Sequence, residues 1–132
     1  MIEQDEETLT SRERLRRDLL EDEEFRSAYA ESFLNTFVAA QIKALREQRG
    51  MTQSDLAEAI GTKQAGVSRL ENVNYSAWKT ETLRRIARAL KVRLRISFED
   101  FGSLVGEVEQ FNRESLQRAI PTEDVRLKHL AT

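Results

Sequence analysis

The chain has 132 residues, no cysteine and one histidine, enough for one domain but excluding disulfides, thiolate metal sites and a self-contained His cluster. Its N-terminus is acidic and polar, so no secretory signal is read, and no apolar run approaches the roughly 20 residues that span a bilayer; the expectation is a soluble, cytoplasmic protein with no membrane partner. The net charge of −2 hides an asymmetry: residues 1–39 carry −6, residues 40–98 carry +7 and residues 99–132 carry −3.

Residues 1–9 read as acidic and mobile. Thr10 followed by Glu13 fits a capping box, and Leu15 and Leu19 are one helical turn apart, so a short helix is predicted to about Leu20. Glu21-Asp22-Glu23-Glu24 suits the first turn of a second helix, where carboxylates meet the positive end of the dipole. Phe25, Tyr29, Phe33 and Phe37 then repeat every four residues beside a stripe of Leu34, Val38, Ile42 and Leu45. One long helix, or two nearly continuous ones, should reach Arg49, with Gly50 as its stop.

Thr52 is a good N-cap for a helix starting at Gln53, with Asp55 in its first turn. Leu56, Ala57 and Ile60 share one face, Gly61 interrupts, and Val67 and Leu70 open a second apolar face. Two short helices joined at a glycine form a helix-turn-helix, whose second helix, about Lys63–Asn72, is an insert for the major groove of DNA. In this arrangement Ala57, Gly61, Val67 and Leu70 are structural. Asn72–Ser76 reads as loop, and Thr80 as the cap of a further helix that buries Leu83, Ile86, Ala87 and Leu90. Trp78 beside it reads as a core or hinge anchor, while Asn74, Tyr75 and Lys79 are within reach of backbone phosphates.

The period then changes. Val92, Leu94, Ile96 and Phe98 alternate with Arg93, Arg95 and Ser97, which predicts one strand. A lone strand lacks a ladder partner, so these four apolar residues are candidates for antiparallel pairing across a homodimer. An irregular segment packed on the helices is the other reading. A final helix is predicted from Leu104 to about Ala119, ended by Pro121. The fold class is mainly α: a helix-turn-helix domain, of the five-helix repressor-like type by its resemblance to a known family, with a long N-terminal helix extension, one C-terminal strand and a final helix. The predicted organisation is an acidic segment 1–22, a DNA-binding domain 23–91 and a dimerisation or partner-binding element 92–132.

The text from Ile42 to Gln53, then Leu56-Ala57, Gly61, Gln64, Val67–Asn72 and Glu81–Leu90, resembles the xenobiotic-response-element family of helix-turn-helix proteins, which contains the lambdoid phage repressors. The resemblance covers about half the chain. It implies that Gln53, with Thr52 beside it, holds a phosphate at the first helix's N-terminus, where free N–H groups favour an anion. It implies that Gln64 is the main base reader, an amide being able to bond bidentately to adenine. Ala65 and Ser68 project nearby; Lys63, Arg69 and Asn72 suit phosphates better. It also implies an Arg46–Glu71 ion pair between the first helix and the recognition helix.

Two residues depart from the pattern. Lys63 stands at the recognition helix's N-cap, so that helix is expected to start early, on Thr62. Gly66 lies inside it, at a cost of about 1 kcal/mol relative to Ala, for which close approach to DNA is the suggested compensation. The strand also stands where the family has a fifth helix. The resemblance implies a dimeric, sequence-specific regulator of transcription, a repressor, bound to double-stranded DNA. The alternative is an antitoxin whose acidic flanks mask a basic toxin protein and which represses its own operon. No His is placed to activate a nucleophile and no phosphate loop or metal-ligand spacing appears, so neither catalysis nor a cofactor is expected.

Overall fold

A single residue makes the first corner. In the computed structural model, which describes residues 9–131, Asp22 both ends helix α1 (Ser11–Glu21) and caps helix α2 (Glu23–Gln48), its carboxylate accepting from the Phe25 amide at 3.0 Å. Arg26 reaches back from α2 and donates to the last carbonyls of α1, those of Leu19 and Leu20. The start of α1 carries the Thr10–Glu13 capping box. The acidic stretch 1–8 lies outside the described residues.

Helix α2 runs for 26 residues, about 39 Å at the usual rise. It stops where Gly50 adopts a left-handed φ of 70°. Its C-terminal half supplies Ile42 and Leu45 to a core completed by α3 (Gln53–Ile60), α4 (Gln64–Leu70) and α5 (Thr80–Ala89). Leu56, Val67 and Leu90 are wholly enclosed there. These are the positions the helical periodicity assigns to the inner faces. Trp78 and Tyr75 pack against this core from the α4–α5 loop, and the Trp78 indole N–H is buried with no acceptor among the described residues.

Helix α2 also serves a second cluster. Leu19, Ala39, Leu104 and Leu116 are buried, and Phe111 meets the rings of Phe33 and Phe37 at 5.6 and 6.2 Å. The C-terminal segment is clipped along α2 by Gln41 to the Leu116 carbonyl, Arg113 to Glu47, and Arg118 to the Gln48 side chain. Arg49 bridges both parts, donating to the carbonyls of Leu90 and Arg118. Its burial lowers its pKa from the ordinary arginine value.

Four boundaries differ from expectation. No strand occurs among the described residues: Val92, Leu94, Ile96 and Phe98 lie in a segment without regular structure. The amides of residues 93–99 find no backbone acceptor within the described chain, and a strand cannot exist without a ladder. The single helix from Leu104 to Ala119 is instead α6 (Leu104–Glu109) and α7 (Arg113–Leu116), followed by α8 (Val125–His129). The break lets Phe111 enter the aromatic cluster, and Asn112 restarts the chain with its own capping box. Pro121 opens a 3₁₀ turn instead of ending a helix. Thr80 is the first residue of α5, and Lys79, without a side-chain cap bond, is its N-cap.

Candidate nucleic-acid interface

The turn between α3 and α4 is built by its caps. Thr52 and Asp55 form a reciprocal box at the start of α3, at 3.0 and 2.8 Å. That leaves the amides of Gln53 and Ser54 with no acceptor among the described residues. The Asp55 carboxylate is held below the usual aspartate range by the Thr52 amide first and its hydroxyl second. Gly61, with φ of 75°, closes α3 while the Thr62 amide donates back to the Ala57 carbonyl at 2.9 Å. Only a residue tolerant of the left-handed region turns the chain this sharply.

Helix α4 spans Gln64–Leu70, shorter at both ends than the predicted Lys63–Asn72, and does not begin on Thr62. Thr62 instead turns its side chain over the helix. A Cβ on Gly66 would lie 2.7 Å from the Thr62 hydroxyl oxygen, so this glycine makes room for Thr62, a local reason in place of the one expected. Val67 and Leu70 are buried, whereas Lys63, Gln64, Ala65, Ser68 and Arg69 are exposed on the outer side.

Behind that outer edge runs a chain of polar contacts. The Arg46 guanidinium grips Glu71 in a fork, Nε to Oε2 at 2.7 Å and Nη2 to Oε1 at 3.0 Å. Arg46 also donates to the Met51 carbonyl at 2.7 Å. The hydrogen bond to Glu71 raises the Arg46 pKa, against the opposing pull of burial. The Glu71 side chain is only 4% exposed, and Gln53 Nε2 donates to its Oε1 at 3.3 Å. Gln64 Nε2 in turn donates to Gln53 Oε1 at 2.6 Å. The amide of α4's first residue is thus tied, through Gln53, to a buried ion pair.

Of the residues expected to meet DNA, Gln53 and Gln64 are in contact, Thr52 caps α3, and Lys63, Ala65, Ser68 and Arg69 are exposed at or along α4. Asn72 is exposed, but its side-chain oxygen is occupied by the Asn74 amide at 2.9 Å. Asn74 and Lys79 are exposed on the following loop, while Tyr75 is drawn into the core. Sequence reasoning missed the amide of Ser54 and the contact between Gln53 and Gln64. The Ser54 position was legible as the second residue of a capped helix; the glutamine pair depends on the turn that brings together residues eleven apart.

A helix-turn-helix family model matches residues 42–96. Over 52 residues the chain is 42% identical to the HTH-type transcriptional repressor RghR of Bacillus subtilis, covering 39% of this chain and 38% of that protein. Over 59 residues it is 39% identical to Antitoxin HipB of Escherichia coli O6:H1, covering 45% of this chain and 62% of that protein. The chain therefore spans less than two thirds of either relative's length. No solved structure matches it. No helix among the described residues is long and apolar enough to cross a membrane. Residues 42–96, with their capped helices and glycine turn, form a helix-turn-helix region that matches the family model and is similar to part of a transcriptional repressor.

Proposed function

We propose that the protein is a dimeric, sequence-specific repressor of transcription acting on cytoplasmic double-stranded DNA, with α4 in the major groove. The observation that carries this reading is the two-sidedness of α4: Val67 and Leu70 are sealed in the core while Gln64, Ala65, Ser68 and Arg69 face out. Gln64 reads adenine, and Ala65 and Ser68 touch neighbouring base edges. The free amides of Gln53 and Ser54, at the positive end of α3, receive a phosphate. Thr52, Lys63, Arg69, Asn72, Asn74 and Lys79 frame the backbone on either side. Two copies place α4 in successive major grooves about 34 Å apart.

The dimer contact assigned to this reading is the segment Val92–Phe98. Ile96 is 64% exposed and Phe98 fully so, next to a row of amides with no backbone acceptor among the described residues. An open groove of about 550 Å³ runs between this segment and α5, lined by Arg84, Ala87, Arg88, Val92, Leu94 and Ile96 among others.

The test is a binding titration on duplexes drawn from a randomised pool. Gln64→Ala should cost on the order of 1–3 kcal/mol at one base position and little elsewhere. Equal affinity of that variant for its selected site and for scrambled DNA, matching the parent on both, removes Gln64 as the reader. The affinity of the parent protein should fall steeply with salt, because Lys and Arg contacts release counterions.

A second reading is favoured by the likeness to Antitoxin HipB and by the acidic balance of both flanks. In it the chain also neutralises a basic toxin protein, and DNA binding is autoregulatory. Co-expression with the product of the neighbouring reading frame, followed by co-purification, decides it; a chain recovered alone counts against an antitoxin role.

A further inference from the structure

We infer that Glu71 is a specificity-determining residue acting at a distance: its buried carboxylate sets which way the Gln64 amide faces, and so selects adenine over guanine. The inference rests on Gln64 being the base reader. It follows from the donors and acceptors each group owns. An ionised carboxylate can only accept hydrogen bonds. Both Glu71 oxygens already accept from the Arg46 guanidinium, at 2.7 and 3.0 Å. Gln53 must therefore turn its NH₂ toward Glu71, as it does at 3.3 Å. Its carbonyl oxygen then faces Gln64, and that oxygen accepts only. Gln64 has to present its own NH₂, and the contact is short, 2.6 Å.

What Gln64 has left over is then fixed. One N–H of its amide and its carbonyl oxygen remain for a ligand. A donor beside an acceptor matches the N7 and N6–H₂ of adenine; guanine offers N7 and O6, both acceptors, and meets the carbonyl with repulsion. Were the series reversed, with Gln53 offering NH₂ to Gln64, the Gln64 oxygen would be consumed inside the protein. Two N–H donors would face the groove, the pattern guanine takes. Glu71 itself lies at the far end of α4 and is 4% exposed in its side chain, so it touches no base.

The experiment measures the adenine-to-guanine ratio at the position where Gln64→Ala loses discrimination, using duplexes identical elsewhere. The parent protein should favour adenine by about tenfold or more. Glu71→Gln frees Gln53 to turn over, and the ratio should fall to about twofold or below while other positions keep theirs. Because Glu71→Gln also weakens the hold on Arg46, Gln53→Met provides a second variant that leaves the ion pair intact. It should lower affinity for all duplexes alike and also flatten the ratio at this one position. If Glu71→Gln fails to fold, the paired Arg46→Met/Glu71→Met variant, which removes both charges together, takes its place and should likewise bring the ratio to about twofold or below. A ratio kept at the parent value in the folded variants overturns the polarity argument while leaving Gln64 as reader. A parent protein with no base preference sensitive to Gln64 removes both.

Discussion

Gly66 and Thr62 show how a local contact explains a residue that propensity alone makes costly. Glycine inside a helix is worse than alanine by about 1 kcal/mol, yet here a methyl group would meet the Thr62 oxygen at 2.7 Å. The obstacle is the end of a side chain that can rotate, so the two substitutions should not add. Gly66→Ala alone should leave stability nearly unchanged, whereas in a Thr62→Ala background it should stabilise by about 1 kcal/mol. Urea unfolding of the four proteins of this cycle measures the difference. Additive effects would mean that the hydroxyl does not hold the position open. Lys91 is the converse case: it is the only non-glycine described at positive φ, at 60°. The Val92 amide closes α5 behind it by donating to the Ala87 carbonyl.

For whole elements, legibility followed the source of the stabilising contacts. The capping pairs Thr10–Glu13 and Thr52–Asp55, the stop at Gly50 and the turn at Gly61 involve neighbours in sequence, and each stands where pattern placed it. The C-terminal segment was misread because its course depends on residues about 70 positions away, such as Gln48 and Arg49 holding Arg118. The period of two in Val92–Phe98 pointed to a strand, but periodicity alone could not supply the ladder a strand needs, and residues 93–98 are all exposed. At the interface, the exposure of Gln64 and Ser68 was readable from Val67 and Leu70 facing inward. The Arg46–Glu71 pair was implied by the resemblance, but its continuation through Gln53 to Gln64 was not, since only the turn brings those two glutamines together.

The cap of α3 also has a pH signature. The folded chain holds the Asp55 carboxylate below the usual aspartate range, so the folded state binds this proton less readily than the unfolded one. The resulting stability is present above that range and is lost as pH falls through the lowered value. Thermal unfolding followed from neutral pH into acid should show a steeper loss for the parent protein than for Asp55→Asn. Identical slopes would mean that the box contributes nothing to acid sensitivity.

Across the whole molecule, charge and packing divide differently. The basic middle of the chain holds the helix-turn-helix, while acidic balances lie on both flanks. The flanks nevertheless pack together, joined by Arg16 and Arg12 to Glu109 at 2.8 and 3.3 Å. The exposed apolar segment leaves this arrangement open to a second copy. Light scattering should give a dimer mass for the parent and a monomer mass for Leu94→Pro/Ile96→Pro, which alters the exposed apolar segment without touching the core. A dimer mass that survives both prolines places the contact elsewhere.

The long helix α2 has a mechanical consequence. Its 26 residues contain neither glycine nor proline, so no hinge separates the aromatic end from Arg46. Whatever grips the terminal cluster holds a stiff lever whose far end is bolted to Glu71. A displacement of its first turn, near Phe25, would be carried along the helix axis to the Arg46–Glu71 pair.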